Sequence, residues 1–131
     1  MTEKINYLQS GPYNKGFRAW IFSTDHKRIG ILYMVSVFSF FMLAVGIGLL
    51  MRLELIAPGP TIVKPETYNS LFTLHGMIMI FLFIIPSISA VFGNFLLPLQ
   101  IGAQDVAFPR LNLLSWWVYM TGAFLAVLSL F

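Results

Sequence analysis

LFTLHGMIMIFLFIIPSISAVFGNFLLPL, residues 71–99, contains no Asp, Glu, Lys or Arg, and its marked interruptions are His75, Pro86 and Asn94. A spanning helix needs about 20 mostly apolar residues to cross ~30 Å of hydrocarbon, and this stretch exceeds that length. It does not alternate with period two, so it does not read as a strand, and a lipid core admits only helices or closed barrels. Two further blocks share its character. Residues 29–51 carry no charge, and residues 113–131 are apolar up to Phe131. The sequence therefore predicts an all-α integral membrane bundle with spanning helices over about 29–51, 71–99 and 113–131, preceded by a polar segment, 1–28.

Composition agrees. The 131 residues are 58% hydrophobic and 10% charged, with mean hydropathy +0.82, whereas soluble domains sit near ~45–50% and ~25%. A soluble chain this short could not bury so much apolar surface, so lipid or other subunits must cover it. A net charge of +3 raises the question of nucleic acid, but five of the eight basic residues, Lys4, Lys15, Arg18, Lys27 and Arg28, precede the first apolar block. That is a membrane-flanking pattern, and no nucleic-acid partner is expected. Cysteine is absent, which excludes disulfides and thiolate metal sites. The polar start, with Gly11, Pro12 and Gly16, is unlike a cleaved signal peptide, so the first helix is expected to act as its own insertion signal.

Local chemistry sets the boundaries. Ser23-Thr24-Asp25 offers N-cap acceptors ahead of the first helix. Pro58, Pro60 and Pro65 are expected to keep the first connection non-helical, and Gly102 and Pro109 mark the second. Pro86, inside the second block, should kink that helix and free a carbonyl one turn earlier. Basic residues are denser before residue 29 than in the 52–70 loop, which has Arg52 and Lys64. That difference puts the N-terminus and the 100–112 loop inside. Trp116 and Trp117, matched by Trp20 and Phe22, would form an inner aromatic belt.

Polar groups inside a span need a partner or a function. His75 lies roughly 6 Å below the outer end of its helix, with Gly76 beside it. An imidazole there suits an axial ligand to haem iron, while a histidine hydrogen-bonded to another helix is the more ordinary reading of its position alone. Arg52, at the same level, can snorkel to headgroups or hold a cofactor substituent through its forked donors. Asp105, in an inner loop, is either simply solvated or a proton collector, with Asn94 and Asn112 ordering water without trapping the proton. Met77, Met79, Phe81 and Phe83 read as packing and lipid contact. Ala44, Gly46 and Gly48 form a small-residue strip for close approach of a helix or cofactor. His26 falls at the interface.

Four motifs occur together and in order. They are Ser23-Thr24-Asp25-His26-Lys27-Arg28-Ile29-Gly30, Thr73-Leu74-His75-Gly76-Met77-Ile78-Met79-Ile80-Phe81, Gly93-Asn94-Phe95-Leu96-Leu97-Pro98-Leu99, and the run from Ile101 to Asn112. Over about residues 20–117 the chain closely resembles subunit I of the A-type haem–copper terminal oxidases. The resemblance implies that His75 is one axial ligand of a low-spin haem, expected to be haem A. Arg52 would contact its formyl group, and Tyr68 would line the same pocket. It implies that Asp105 opens the D proton pathway, with Asn94, Asn112 and Tyr33 along it and His26 near its mouth. Glu54 matches an acidic residue that binds calcium or sodium in some members.

One position departs from the family: Leu113 stands where a further asparagine is common. Leu43, Ile47, Thr67 and Ser70 occupy the places where ubiquinol-oxidising relatives carry polar and charged quinone ligands, which points to cytochrome c as electron donor. The expected setting is a bacterial cytoplasmic membrane with the N-terminus on the cytoplasmic side. The implied partners are the rest of a twelve-helix subunit I and oxidase subunits II and III. The second haem and the copper ligands are expected outside this segment, so the chain alone is not expected to reduce oxygen. A ubiquinol oxidase, a haem-free proton or ion transporter and a purely structural membrane subunit are the competing readings.

Overall fold

The computed structural model describes residues 16–129. Lys4, Lys15 and the final residues of the third apolar block, including Phe131, lie outside them. Three helices are long and apolar enough to cross a membrane, His26–Glu54, Pro65–Ile101 and Pro109–Leu128, and no strand occurs among the described residues. A short helix, Phe17–Ile21, precedes the first span.

Each boundary has a local cause. Asp25 is the N-cap of the first helix, and its Oδ1 accepts from the Lys27 amide at 2.9 Å. This satisfies one of the orphan donors of the first turn. Pro65 and Pro109 are not in the connections as expected; each opens its helix at the first turn. The pyrrolidine ring suits that position, because an N–H there has no intrahelical partner to lose. The second helix thus begins six residues before the apolar block does. It ends at Gly102, whose φ of +68° is the left-handed C-cap that glycine adopts without steric cost.

The first helix packs against both others, and its buried residues follow a seven-residue rhythm. Tyr33, Val37, Ala44, Ile47, Met51 and Glu54 are buried, with Phe40 partly so. That is the ~3.5-residue period of a helix held against a partner. The second helix behaves differently. Leu74, Ile78, Leu82, Pro86, Asn94 and Pro98 are buried and Ala90 partly so, recurring every fourth residue. An α-helix of ~3.6 residues per turn would carry such a series around the axis and away from its partner. The backbone absorbs the mismatch by widening into π-helix over Ile78–Ile84 and Ser87–Phe92, on either side of Pro86.

The disturbance expected at Pro86 therefore appears as two π segments. Pro86 has no N–H to give the carbonyls one turn earlier, and one of these, Leu82 O, accepts the Tyr119 hydroxyl at 2.8 Å. Two apolar clusters result. One, at the Glu54 end of the first helix and called outer after the orientation expected from the sequence, contains Ala44, Ile47, Met51, Leu71, Leu74, Ile78, Leu82 and Ala123. The other, called inner in the same sense, contains Ile29, Tyr33 and Trp116.

Candidate functional site

His75 lies in the outer cluster's layer, half-buried against the first helix. Its Nδ1 is 2.9 Å from the carbonyl oxygen of Ala44. A carbonyl can only accept, so Nδ1 carries the proton and Nε2 is left with its lone pair. Nε2 has no hydrogen-bond partner among the described residues. This is how a metal-binding imidazole is commonly oriented. The ring sits over Gly48, where a Cβ would come within 3.2 Å of His75 Cε1. Of the small-residue strip, Ala44 and Gly48 thus make the close approach, whereas a Cβ on Gly46 would meet nothing within 4 Å. A Cβ on Gly76 would also meet open space. The donor atom, its fixed tautomer and the open flank fit an axial haem ligand.

Arg52 stands exposed in the last turn of the first helix. Tyr68 packs against the outer cluster, so Arg52, Tyr68 and His75 share one end of the bundle. Glu54, expected to bind a cation in some members, is buried and engaged by its own connection. Its Oε1 accepts from the Thr61 amide at 2.8 Å, and its Oε2 from the Ile62 and Val63 amides at 2.6 and 3.0 Å. The Thr61 hydroxyl adds a bond of 3.2 Å to Oε2. A cation there would have to share these oxygens, and no cluster of three or more His, Cys, Asp or Glu occurs among the described residues.

At the inner end, the five residues singled out for proton transfer fall into contacting pairs or their close surroundings. His26, only 7% exposed in its side chain, places Nδ1 2.8 Å from Oδ1 of Asp105, whose side chain is 46% exposed. The loop carboxylate is thereby anchored to the start of the first helix while still facing water. Asp105 Oδ1 also accepts from the Val106 amide at 2.7 Å. One layer further in, Asn94 and Asn112 bond to each other through both carboxamides. Asn94 also donates to Ala90 O at 2.7 Å. Gly30 makes room for this contact, since a Cβ there would stand 3.2 Å from Asn94 Cβ and 3.0 Å from the Phe95 ring. Tyr33 is 2.8 Å from Ser115 Oγ, which donates to Asn112 O at 2.7 Å.

The sequence is similar, over residues 28–131, to the family described as "Cytochrome C and Quinol oxidase polypeptide I". The chain belongs to that family. Among its relatives, a protein of Streptomyces avermitilis described as "Probable cytochrome c oxidase subunit 1-alpha" is 50% identical over 108 residues, covering 82% of this chain and 18% of its own. "Cytochrome c oxidase subunit 1" of Synechocystis is 45% identical over 126 residues, 96% of this chain and 23% of its own. The protein of that description from Corynebacterium glutamicum is 46% identical over 115 residues, 86% and 20%. The chain spans about a fifth of the length of these relatives.

Within this oxidase family member, several residues that touch the site carried no sequence signal. Ser115 is one serine among several and Tyr119 one of five tyrosines, so neither stands out before helix three is placed against helix one. Trp116 was expected in an aromatic belt. It is 7% exposed and donates its indole N–H to Ser36 Oγ at 3.3 Å, so it belongs to the inner core. Trp117 fits the belt better, with its ring 5.8 Å from that of Phe22.

Proposed function

We propose that this chain is the N-terminal part of the catalytic subunit of a proton-pumping terminal oxidase that reduces oxygen to water with electrons from cytochrome c. His75 is read as an axial ligand of a low-spin haem, expected to be haem A, with Arg52 and Tyr68 at its edge. Asp105, His26, Asn94, Asn112 and Tyr33 are read as the inner part of a proton pathway. The observation that carries the reading is the His75 ring, held by Ala44 O so that Nε2 is offered for a metal, on the same helix as the buried Asn94.

A bound haem supplies one-electron chemistry, its iron alternating between ferric and ferrous states. The chain's own residues do the rest. Ala44 O keeps the proton on Nδ1 and strengthens Nε2 as a donor. Asp105 exchanges protons with water at the inner surface, and the His26 contact fixes where it does so. Asn94 and Asn112 cannot titrate, so a proton passes them only along water that enters when their mutual bond opens. Tyr33 and Ser115 continue the polar line beyond.

The relatives' names favour cytochrome c as donor. So does the quinone region: Ile47 is buried in the outer cluster, and the Ser70 hydroxyl is turned back to Glu66 O at 3.1 Å. The remaining partners would be the rest of subunit I and subunits II and III, in a bacterial cytoplasmic membrane with the N-terminus inside.

Two substitutions in the assembled oxidase test this. His75→Ala is expected to remove the low-spin haem absorbance, and an unchanged reduced spectrum would refute the ligand role. Asp105→Asn is expected to slow turnover and proton uptake together by roughly tenfold or more, whereas normal pumping would take Asp105 out of the pathway.

A further inference from the structure

The second helix carries both His75 and Asn94, and between them lie Pro86 and the two π segments. Both residues face the first helix: His75 reaches Ala44 O, and Asn94 packs at Gly30. On an uninterrupted α-helix, the twenty residues from Leu74, beside His75, to Asn94 would at ~100° each leave those two buried side chains about half a turn out of phase. The four-residue rhythm of the widened backbone keeps them on one face. A π segment next to a proline is also a weak part of a helix, because Pro86 gives the carbonyls one turn earlier no amide and lipid offers none.

Tyr119 supplies the missing donor. Its hydroxyl gives Leu82 O a hydrogen bond of 2.8 Å. Its ring lies 5.5 Å from that of Tyr33 and meets Phe40 edge-on at 5.9 Å and 89°. Tyr119 packs against both the outer and the inner apolar clusters. Third-helix position 119 is therefore where the metal-binding half and the polar half of the bundle are tied together.

We infer that Tyr119 is a positioning residue, whose hydroxyl, by bonding Leu82 O one turn before Pro86, holds the Asn94 half of the second helix in place relative to the His75 half. The functional consequence rests on the pathway reading above; the structural one does not.

Three variants of the assembled oxidase test this. Tyr119→Phe keeps the ring and removes the donor. Pro86→Ala in that background supplies an amide four residues after Leu82, at a position that with Ile85 is α-helical between the π segments, where an α-helical bond to Leu82 O can replace the lost hydroxyl. Amide hydrogen exchange of the Ser87–Phe92 backbone is expected to rise roughly tenfold in Tyr119→Phe and to return toward the parent rate in the double variant. Proton uptake is expected to slow and recover in parallel, with the low-spin haem spectrum unchanged throughout.

Unchanged exchange in Tyr119→Phe overturns the inference. So does a rise that Pro86→Ala does not reverse, because the hydroxyl would then act other than through Leu82 O. If exchange follows the pattern but uptake is unaffected in both these variants and Asp105→Asn, the pathway reading fails and the positioning role stands.

Discussion

At the scale of single residues, the spacing between Gly48 and His75 constrains the imidazole. A methyl group on position 48 would stand 3.2 Å from Cε1 of the imidazole, closer than carbon contacts normally allow. Tilting of the ring relieves this and stretches its 2.9 Å bond to Ala44 O. A weaker bond makes the imidazole a poorer donor to iron and favours the reduced state. Gly48→Ala in the assembled oxidase is therefore expected to keep a low-spin haem but raise its midpoint potential by on the order of tens of millivolts. Gly46→Ala, two residues away with nothing within 4 Å, is the control and should leave the potential alone. A redox titration reads both, and equal potentials in the two variants would count against the Gly48 contact.

At the scale of elements, the spans were legible because length and apolarity alone fix a membrane helix, and the Asp25 cap was legible from its side-chain chemistry. The π segments were not. A fourfold rhythm of buried residues is invisible until the partner helix shows which side chains are buried, and only Pro86 hinted at it. His75, Asn94, Asn112 and Asp105 stood out because polar groups are rare in such stretches. Their pairing did not, since it depends on how the third helix and the 102–108 loop return to the first. The Glu54 connection was also hidden: one carboxylate gathers three successive amides of residues 61–63, which turns a proline-rich loop into a fixed one. Glu54→Ala leaves those donors without their acceptor. Limited proteolysis between residues 55 and 64 is expected to become several-fold faster while haem absorbance is retained. Unchanged cleavage would mean that Pro58, Pro60 and Pro65 hold the loop without it.

At the scale of the whole molecule, the two polar centres sit at opposite ends of one helix pair, so their sidedness determines whether charge crosses the membrane. Moving one charge against 100 mV costs about 2.3 kcal/mol. On the proposed reading, electrons that arrive at the His75 end and protons that arrive at the Asp105 end contribute to the same field only if these ends face opposite compartments. The basic residues favour Asp105 inside. The chain has no cysteine, so single thiols can report this without background from the chain itself. Lys64→Cys, in the exposed first connection, is expected to react with a membrane-impermeant maleimide added to intact cells. Gln104→Cys, beside Asp105 and also exposed, is expected to react only after the cells are opened. The reverse pattern would place Asp105 on the outer face, and protons entering there could not be drawn from the inner compartment however well the Asn94–Asn112 line conducts.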